Sequence, residues 1–375
     1  MSATQPTTVA IIMAGGTGER FWPLSRVARP KQLLHITSER LTMLEEVAKR
    51  IQPLVPDERV FIATGRALAG PIRKGRTGVA PANVLAEPAK RNTAGALCWV
   101  SAHLLARFGG EAAANLDVVV LAADAVIDDP AQFRATAQAA LGAARRHKAL
   151  ATIGVAPDRP ETGYGYIEIA RDVEPVNAAD GEPPVYPVVS FREKPDLDQA
   201  RQYLAAGRFL WNSGMFFWTL GTFLSELESA APEHARATRR MAEALAAGDD
   251  RLAEEVFEGL PDLSIDYALM ERAAKVLVAR ADFAWDDVGA WDALDRTYPH
   301  DEAGNVAVGD PILLEVRDSI VINEPGAERM AVAAIGVEGL AVIVSGDGVL
   351  VVPKHRAQQV KQVVAELHRR GAKQV

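Results

Sequence analysis

A chain of 375 residues exceeds one ordinary domain and can bury a large core, and 49% hydrophobic with 24% charged residues places it among globular proteins, not disordered ones. A net charge of −8 argues against a general nucleic-acid binder, although a local basic pocket fits inside an acidic protein. The single cysteine, Cys98, excludes an internal disulfide framework and a cysteine zinc cluster, the seven histidines lack metal-ligand spacing, and no apolar run reaches membrane-spanning length. With no charged n-region ahead of the first apolar run, a soluble cytoplasmic protein is expected.

The first predicted strand, 9–14, runs into Gly15-Gly16-Thr17-Gly18-Glu19-Arg20-Phe21-Trp22-Pro23-Leu24-Ser25, and Pro30-Lys31-Gln32 follows. Glycines let consecutive backbone N–H groups turn toward one anion without Cβ interference. Arg20 and Lys31 add fixed positive charge, which suits a polyphosphate. The loop is not the dinucleotide fingerprint, because Phe21 stands where its third glycine belongs. It is not a Walker A loop either, since no Gly-Lys-Ser/Thr follows at the required spacing.

Further strands at 59–64, 84–86 and 118–122 alternate with helical spacing at 43–52, 92–108 and 130–147. These strands are hydrophobic throughout, as in a parallel sheet covered on both faces. The alternation predicts an α/β fold: an open, mostly parallel nucleotide-binding sheet flanked by helices, with ligands at the carboxyl ends of the strands. Residues 15–20 and Asp124 both fall at such ends. Beyond 160 come strands at 162–169 and 188–194, a surface loop at 177–184, and helices at 197–207, 219–231, 232–248 and 265–274. This region reads as an acceptor-side lobe completing one domain, residues 1–301. From 302 to 375, short strands at 312–316, 320–323, 330–335, 340–344 and 349–352 precede a helix at 354–370. They predict a small, solenoid-like C-terminal β appendage.

The glycine loop with its Phe-Trp-Pro-Leu-Ser continuation resembles the N-terminal signature of sugar-1-phosphate nucleotidyltransferases, in the form found in mannose-1-phosphate guanylyltransferases. More segments resemble that family in its own order: Glu87-Pro88-Ala89-Lys90-Arg91-Asn92-Thr93-Ala94, Gly163-Tyr164-Gly165-Tyr166-Ile167, Phe191-Arg192-Glu193-Lys194-Pro195-Asp196, Trp211-Asn212-Ser213-Gly214-Met215-Phe216 and Trp285-Asp286-Asp287-Val288-Gly289-Ala290-Trp291. Together they span residues 9 to 291, about three quarters of the chain.

The resemblance implies attack of a mannose 1-phosphate oxygen on the α-phosphorus of GTP, giving GDP-mannose and pyrophosphate. It implies that Arg20 and Lys31 hold the triphosphate and that Lys194 holds the sugar phosphate. Gly15, Gly16, Thr17, Gly18, Glu87, Pro88, Asn92 and Thr93 would bind the nucleotide. Gly165, Glu193 and Asn212 would bind the sugar, and Asp124 with Asp287 would hold Mg²⁺. The carboxylate of Glu87 can accept from the adjacent N1–H and NH₂ donors of guanine, a pattern that adenine lacks. Asp286 competes with Asp287, and alignment on Trp285 and Gly289 favours Asp287. Two departures stand out: Ala125 replaces the family's histidine after Asp124, and Gly95 replaces a proline. The resemblance also implies a homodimer assembled through the tail, and transferase activity without the isomerase domain of longer relatives. The alternatives are another sugar 1-phosphate or base, or a non-catalytic regulatory homologue that binds sugar nucleotides; retention of both carboxylates argues against the regulator.

Overall fold

Runs of Val, Ile and Ala with no polar alternation form strands buried on both faces, and such strands make the middle of the sheet in a computed structural model of the chain. It describes residues 7–38, 40–170, 173–177, 181–326 and 328–375, so part of the predicted loop at 177–184 lies outside the described residues. Two compact units interleave along the sequence. One holds residues up to 15, 47–122 and 127–285; the other holds 16–46, 123–126 and 286–375.

The first unit contains β1 (Thr8–Met13), β2 (Val60–Gly65), β3 (Val84–Glu87), β4 (Asp117–Ala122), β5 (Leu150–Val155), β6 (Tyr166–Ile169), β7 (Val185–Arg192), β8 (Phe209–Thr219) and β9 (Val276–Arg280). They form one sheet in the order β3-β2-β1-β4-β8-β5-β9-β7-β6, and β8 also pairs with β6. The strands β3, β2, β1 and β4 run parallel to one another, as expected. The rest corrects the expectation of an open, mostly parallel sheet: β8 runs antiparallel to β4, β5 and β6, and β7 runs antiparallel to β6 and β9. Five strands, β8-β5-β9-β7-β6, therefore close into a ring. The cause lies in the length and bend of β8. Its register against β5 shifts between Thr152 and Gly154, next to Gly214 at φ +70°, so its two halves pair with different neighbours. Residues 216–219 pair with β4, and residues 209–211 with β6.

Helices α1 (Asn92–Phe108) and α2 (Pro130–His147) pack on this sheet, α1 against β1, β2 and β3 and α2 against β5, β8 and β9, and α3 (Pro232–Ala246) packs against α1. Asp129 caps α2 by accepting from the backbone of Ala131 and Gln132. Cys98 is fully buried within α1, and burial pushes its thiol up to about 12, consistent with core filler. The helix predicted at 265–274 is instead a single π-turn, Asp266–Met270.

In the second unit, β10 (Val306–Val308), β12 (Ile320–Asn323) and β14 (Leu340–Ser345) stack in parallel, as do β11 (Ile312–Leu314) and β13 (Ala333–Ile335). The last strand, β15 (Gly348–Pro353), pairs antiparallel with β14. Parallel pairing between every second short strand, one per turn of chain, gives the expected solenoid-like coil. Buried asparagines close its turns: Asn305 donates to Val316 O at 2.9 Å and Asn323 to Met330 O at 2.8 Å. The coil core of Val306, Ile320, Ile322, Ala341 and Ile343 is continuous with Phe21, Trp291 and the Val360 and Val364 side chains of α4 (Val360–Arg369). Phe21 is fully buried there, so the glycine loop belongs to the unit built on the C-terminal coil.

Candidate active site

The turn after β1 is shaped by Gly18, which sits at φ +63°, ψ 23° and starts the one-turn helix Glu19–Phe21. A Cβ at Gly18 would lie 2.5 Å from both the Cβ and the backbone N of Lys31, so glycine is required for conformation and for space. Gln32 Nε2 donates to Gly16 O at 3.1 Å and pins the start of the loop. Phe21 packs on Trp291 with ring centroids 5.0 Å apart, and Trp291 Nε1 donates to Trp22 O at 3.0 Å.

Lys31 is 5% exposed. Its Nζ donates to Asp124 Oδ2 at 2.9 Å and to the Asp287 carbonyl at 2.5 Å. The predicted cation and the two predicted metal carboxylates thus meet in one cavity of about 310 Å³, with Gly16, Thr17, Gly18 and Arg20 in its wall. Asp287 lines this cavity. Asp286 instead holds Arg296 at 2.6 Å and accepts from Val288 N at 2.7 Å. Val288, fully buried, stands at φ +45°, a strained setting for a β-branched residue. Asp286 therefore fixes the turn that presents Asp287, and a Cβ at Gly289 would crowd the Asp287 carboxylate at 3.2 Å.

In the first unit, Glu87 ends β3, and a Cβ on Gly15 would lie 3.7 Å from its Oε1. Burial pushes the Glu87 carboxyl up to about 7. Only the ionised form accepts both guanine donors. If Glu87 reads guanine, the KM for GTP falls as pH rises from about 6 to about 8, and Glu87→Gln flattens that profile. A wild-type KM independent of pH over this range removes Glu87 from the base site. Asn92, at φ +55°, begins α1 and accepts from Thr93 N at 2.9 Å. The Thr93 hydroxyl accepts from Ile265 N at 2.8 Å, so it fastens the segment leading into the π-turn. Pro88 follows Glu87 in the turn between β3 and α1.

On the opposite margin of the same sheet, Asn212 N donates to Gly165 O at 2.8 Å. A Cβ at Gly165 would lie 2.5 Å from Glu193 Oε2. Glu193 pairs with Lys194 Nζ at 2.9 Å, and Lys194 is held at φ +47°. Burial lowers the Lys194 pKa, but Glu193 outweighs it, and the net shift is upward. The residue that sequence reasoning missed is Asp266. Its Oδ1 accepts from Asn212 Nδ2 at 3.1 Å, and burial, then the Glu193 charge, pushes its carboxyl up to about 6. The only signal was one acid among apolar residues at the start of a segment predicted as helix. Gly165→Ala drives Glu193 from its place, so the KM for the sugar substrate should rise by about tenfold or more with the nucleotide KM unchanged. The reverse pattern in steady-state kinetics removes Gly165 and Glu193 from the sugar side.

A cavity that sets a glycine turn and basic side chains beside two carboxylates, on an α/β chain, points to a class of enzyme that handles nucleotides. Residues 9–303 match the family model described as nucleotidyl transferase, and residues 309–367 match the MannoseP isomerase/GMP-like beta-helix domain. The chain is 37% identical over 369 residues to an Escherichia coli K12 mannose-1-phosphate guanylyltransferase, covering 96% of this chain and 73% of that protein. It is also 37% identical to the Klebsiella pneumoniae protein of the same name, covering 94% and 72%. A crystal structure described as mannose-1-phosphate geranyltransferase from Thermus thermophilus superposes with a TM-score of 0.83 at 37% identity, covering 96% of this chain and 99% of that one. The chain belongs to the nucleotidyl transferase family and, within it, to the mannose-1-phosphate guanylyltransferases.

Proposed function

We propose that the chain transfers GMP from GTP to mannose 1-phosphate, releasing pyrophosphate and forming GDP-mannose. The carrying observation is the cavity in which the glycine turn, Arg20, Lys31, Asp124 and Asp287 converge, in a chain 37% identical to enzymes of that name. The sugar phosphate needs no protein base, since a phosphate monoester with a second pKa near ~6 is already largely dianionic at neutral pH. The work is electrostatic: hold two polyanions in line and neutralise the leaving pyrophosphate. Gly16, Thr17 and Gly18 present the loop backbone to the triphosphate, and Arg20 and Lys31 supply charge. Gly15, Glu87, Pro88, Asn92 and Thr93 are assigned to the nucleoside side. Lys194 is assigned to the sugar phosphate, and Gly165, Glu193 and Asn212 to the sugar hydroxyls.

Asp124 and Asp287 fit Mg²⁺, which takes one or two carboxylates and completes its shell with phosphate oxygens and water. Lys31, buried against the Asp124 carboxylate, marks that position as one where the protein already places a cation. When bound, the ion would neutralise charge on the triphosphate as pyrophosphate leaves.

The proposal includes a cytoplasmic homodimer. Among the described residues no helix is long and apolar enough to cross a membrane. Exposed Ile312, Leu314 and Ile335 on the C-terminal coil support assembly through that face. Turnover with four nucleoside triphosphates crossed with several sugar 1-phosphates tests the reaction, with GTP and mannose 1-phosphate expected to give the highest kcat/KM. Tight GDP-mannose binding without turnover on any pair overturns it in favour of a regulator.

A further inference from the structure

We propose that Lys361, near the start of α4, binds the β- and γ-phosphates of GTP and the pyrophosphate they become. The proposal rests on reading the cavity as the triphosphate site. The tail carries no family motif with a chemical role, yet Lys361 lines the same cavity as Arg20, Lys31, Asp124 and Asp287.

The packing of α4 brings it there. Val360 and Val364 are 1% and 6% exposed and turn one helix face into the core shared with Phe21 and Trp291. Helix α4 consequently packs against Glu19–Phe21, the turn that carries Arg20. Lys361 follows Val360 and falls outside the buried stripe, at the rim. The C-terminal side is fastened too: Trp22 Nε1 donates to Gln374 O at 2.7 Å, tying the chain end to the glycine loop.

Charge accounting separates Lys361 from an ordinary surface lysine. The cavity carries Glu19, Asp124 and Asp287 against Arg20, Lys31 and Lys361. Lys31 is committed to Asp124 and to the Asp287 backbone. Among the described residues no ion pair engages Arg20 or Lys361, although Glu19 lines the same wall. Two exposed cations on one rim suit a mobile polyanion that arrives and leaves in each turnover. Arg20 offers a planar fork, and Lys361 a compact charge on a flexible stem that can follow pyrophosphate as it separates.

Lys361→Ala, Lys361→Arg and the neighbouring control Gln362→Ala test this, each assayed in both directions and by equilibrium titration with GTP and with GDP-mannose. Lys361→Ala should raise the KM for GTP and for pyrophosphate about tenfold or more, and weaken GTP in the titration to match. The KM for mannose 1-phosphate and the affinity for GDP-mannose, which lack the β,γ-pyrophosphate, should stay within about twofold. Lys361→Arg should recover most of the loss, and Gln362→Ala should behave as wild type. Unchanged GTP and pyrophosphate constants in Lys361→Ala overturn the proposal, as does an equal loss for all four substrates, which points to a role in holding α4. If the wild type binds GTP but turns over no sugar phosphate, the reading of the reaction fails, and the GTP titration of the variant still decides Lys361.

Discussion

Asp124→Asn and Asp287→Asn should each lower kcat by about 10²–10³-fold or more, while the double substitution costs little beyond either single one. Asparagine keeps the shape and leaves Lys31 an acceptor in place of Asp124 Oδ2, so both variants should fold as wild type. Charge is the quantity removed, and two groups serving one ion lose that ion once. Chelation should abolish wild-type activity and change the residual rate of either variant little. Asp286→Asn provides the contrast. It weakens the buried pair with Arg296 at 2.6 Å, so its first effect should be a lower Tm. Independent, additive losses at Asp124 and Asp287, or full wild-type activity in chelator, would sink the shared-metal assignment.

Gly18→Ala should be the most damaging single-methyl change in the loop. Alanine at φ +63° costs about 1–2 kcal/mol, and the new Cβ would stand 2.5 Å from the backbone N of Lys31. A backbone atom cannot swing aside as a side-chain tip can, so the turn must move away from Lys31. Displacement of about 1 Å in a positioning element can cost roughly 10²-fold in rate. The expected result is a fall in kcat/KM for GTP of that order with a modest drop in Tm. Gly70→Ala, outside the loop, is the control, because a Cβ there meets nothing within 4 Å. Equal rates for the two variants would mean that the turn does not position the phosphates.

Most of the chemical inventory was legible because it is local. A strand followed by consecutive glycines, an arginine and a Pro-Lys-Gln points to a phosphate turn through backbone geometry and charge, and both are properties of neighbouring residues. The strands β1 to β4 were legible for the same reason: each is a short apolar run between turn residues. By contrast the sequence pattern does not single out β5 and β9, and it offers β8 only as a motif. Residues 212–214 read Asn-Ser-Gly and interrupt the apolar pattern, yet they are the bend at which β8 changes partners.

The sequence by itself determined which side chains are available for the proposed phosphate, metal, base and sugar roles, and the family resemblance, not residue type alone, assigned them. Only the tertiary structure decided which of them meet. The sheet closes into a ring because an 11-residue strand bent at Gly214 pairs on both its edges, and no spacing rule reports a partner 60 residues away. Asp287 faces the cavity and Asp286 does not, because Arg296 and the strained Val288 turn fix the pair. Lys361 stands beside Arg20, more than 300 residues earlier, because burial of Val360 and Val364 against Phe21 and Trp291 outweighs any local preference of the tail.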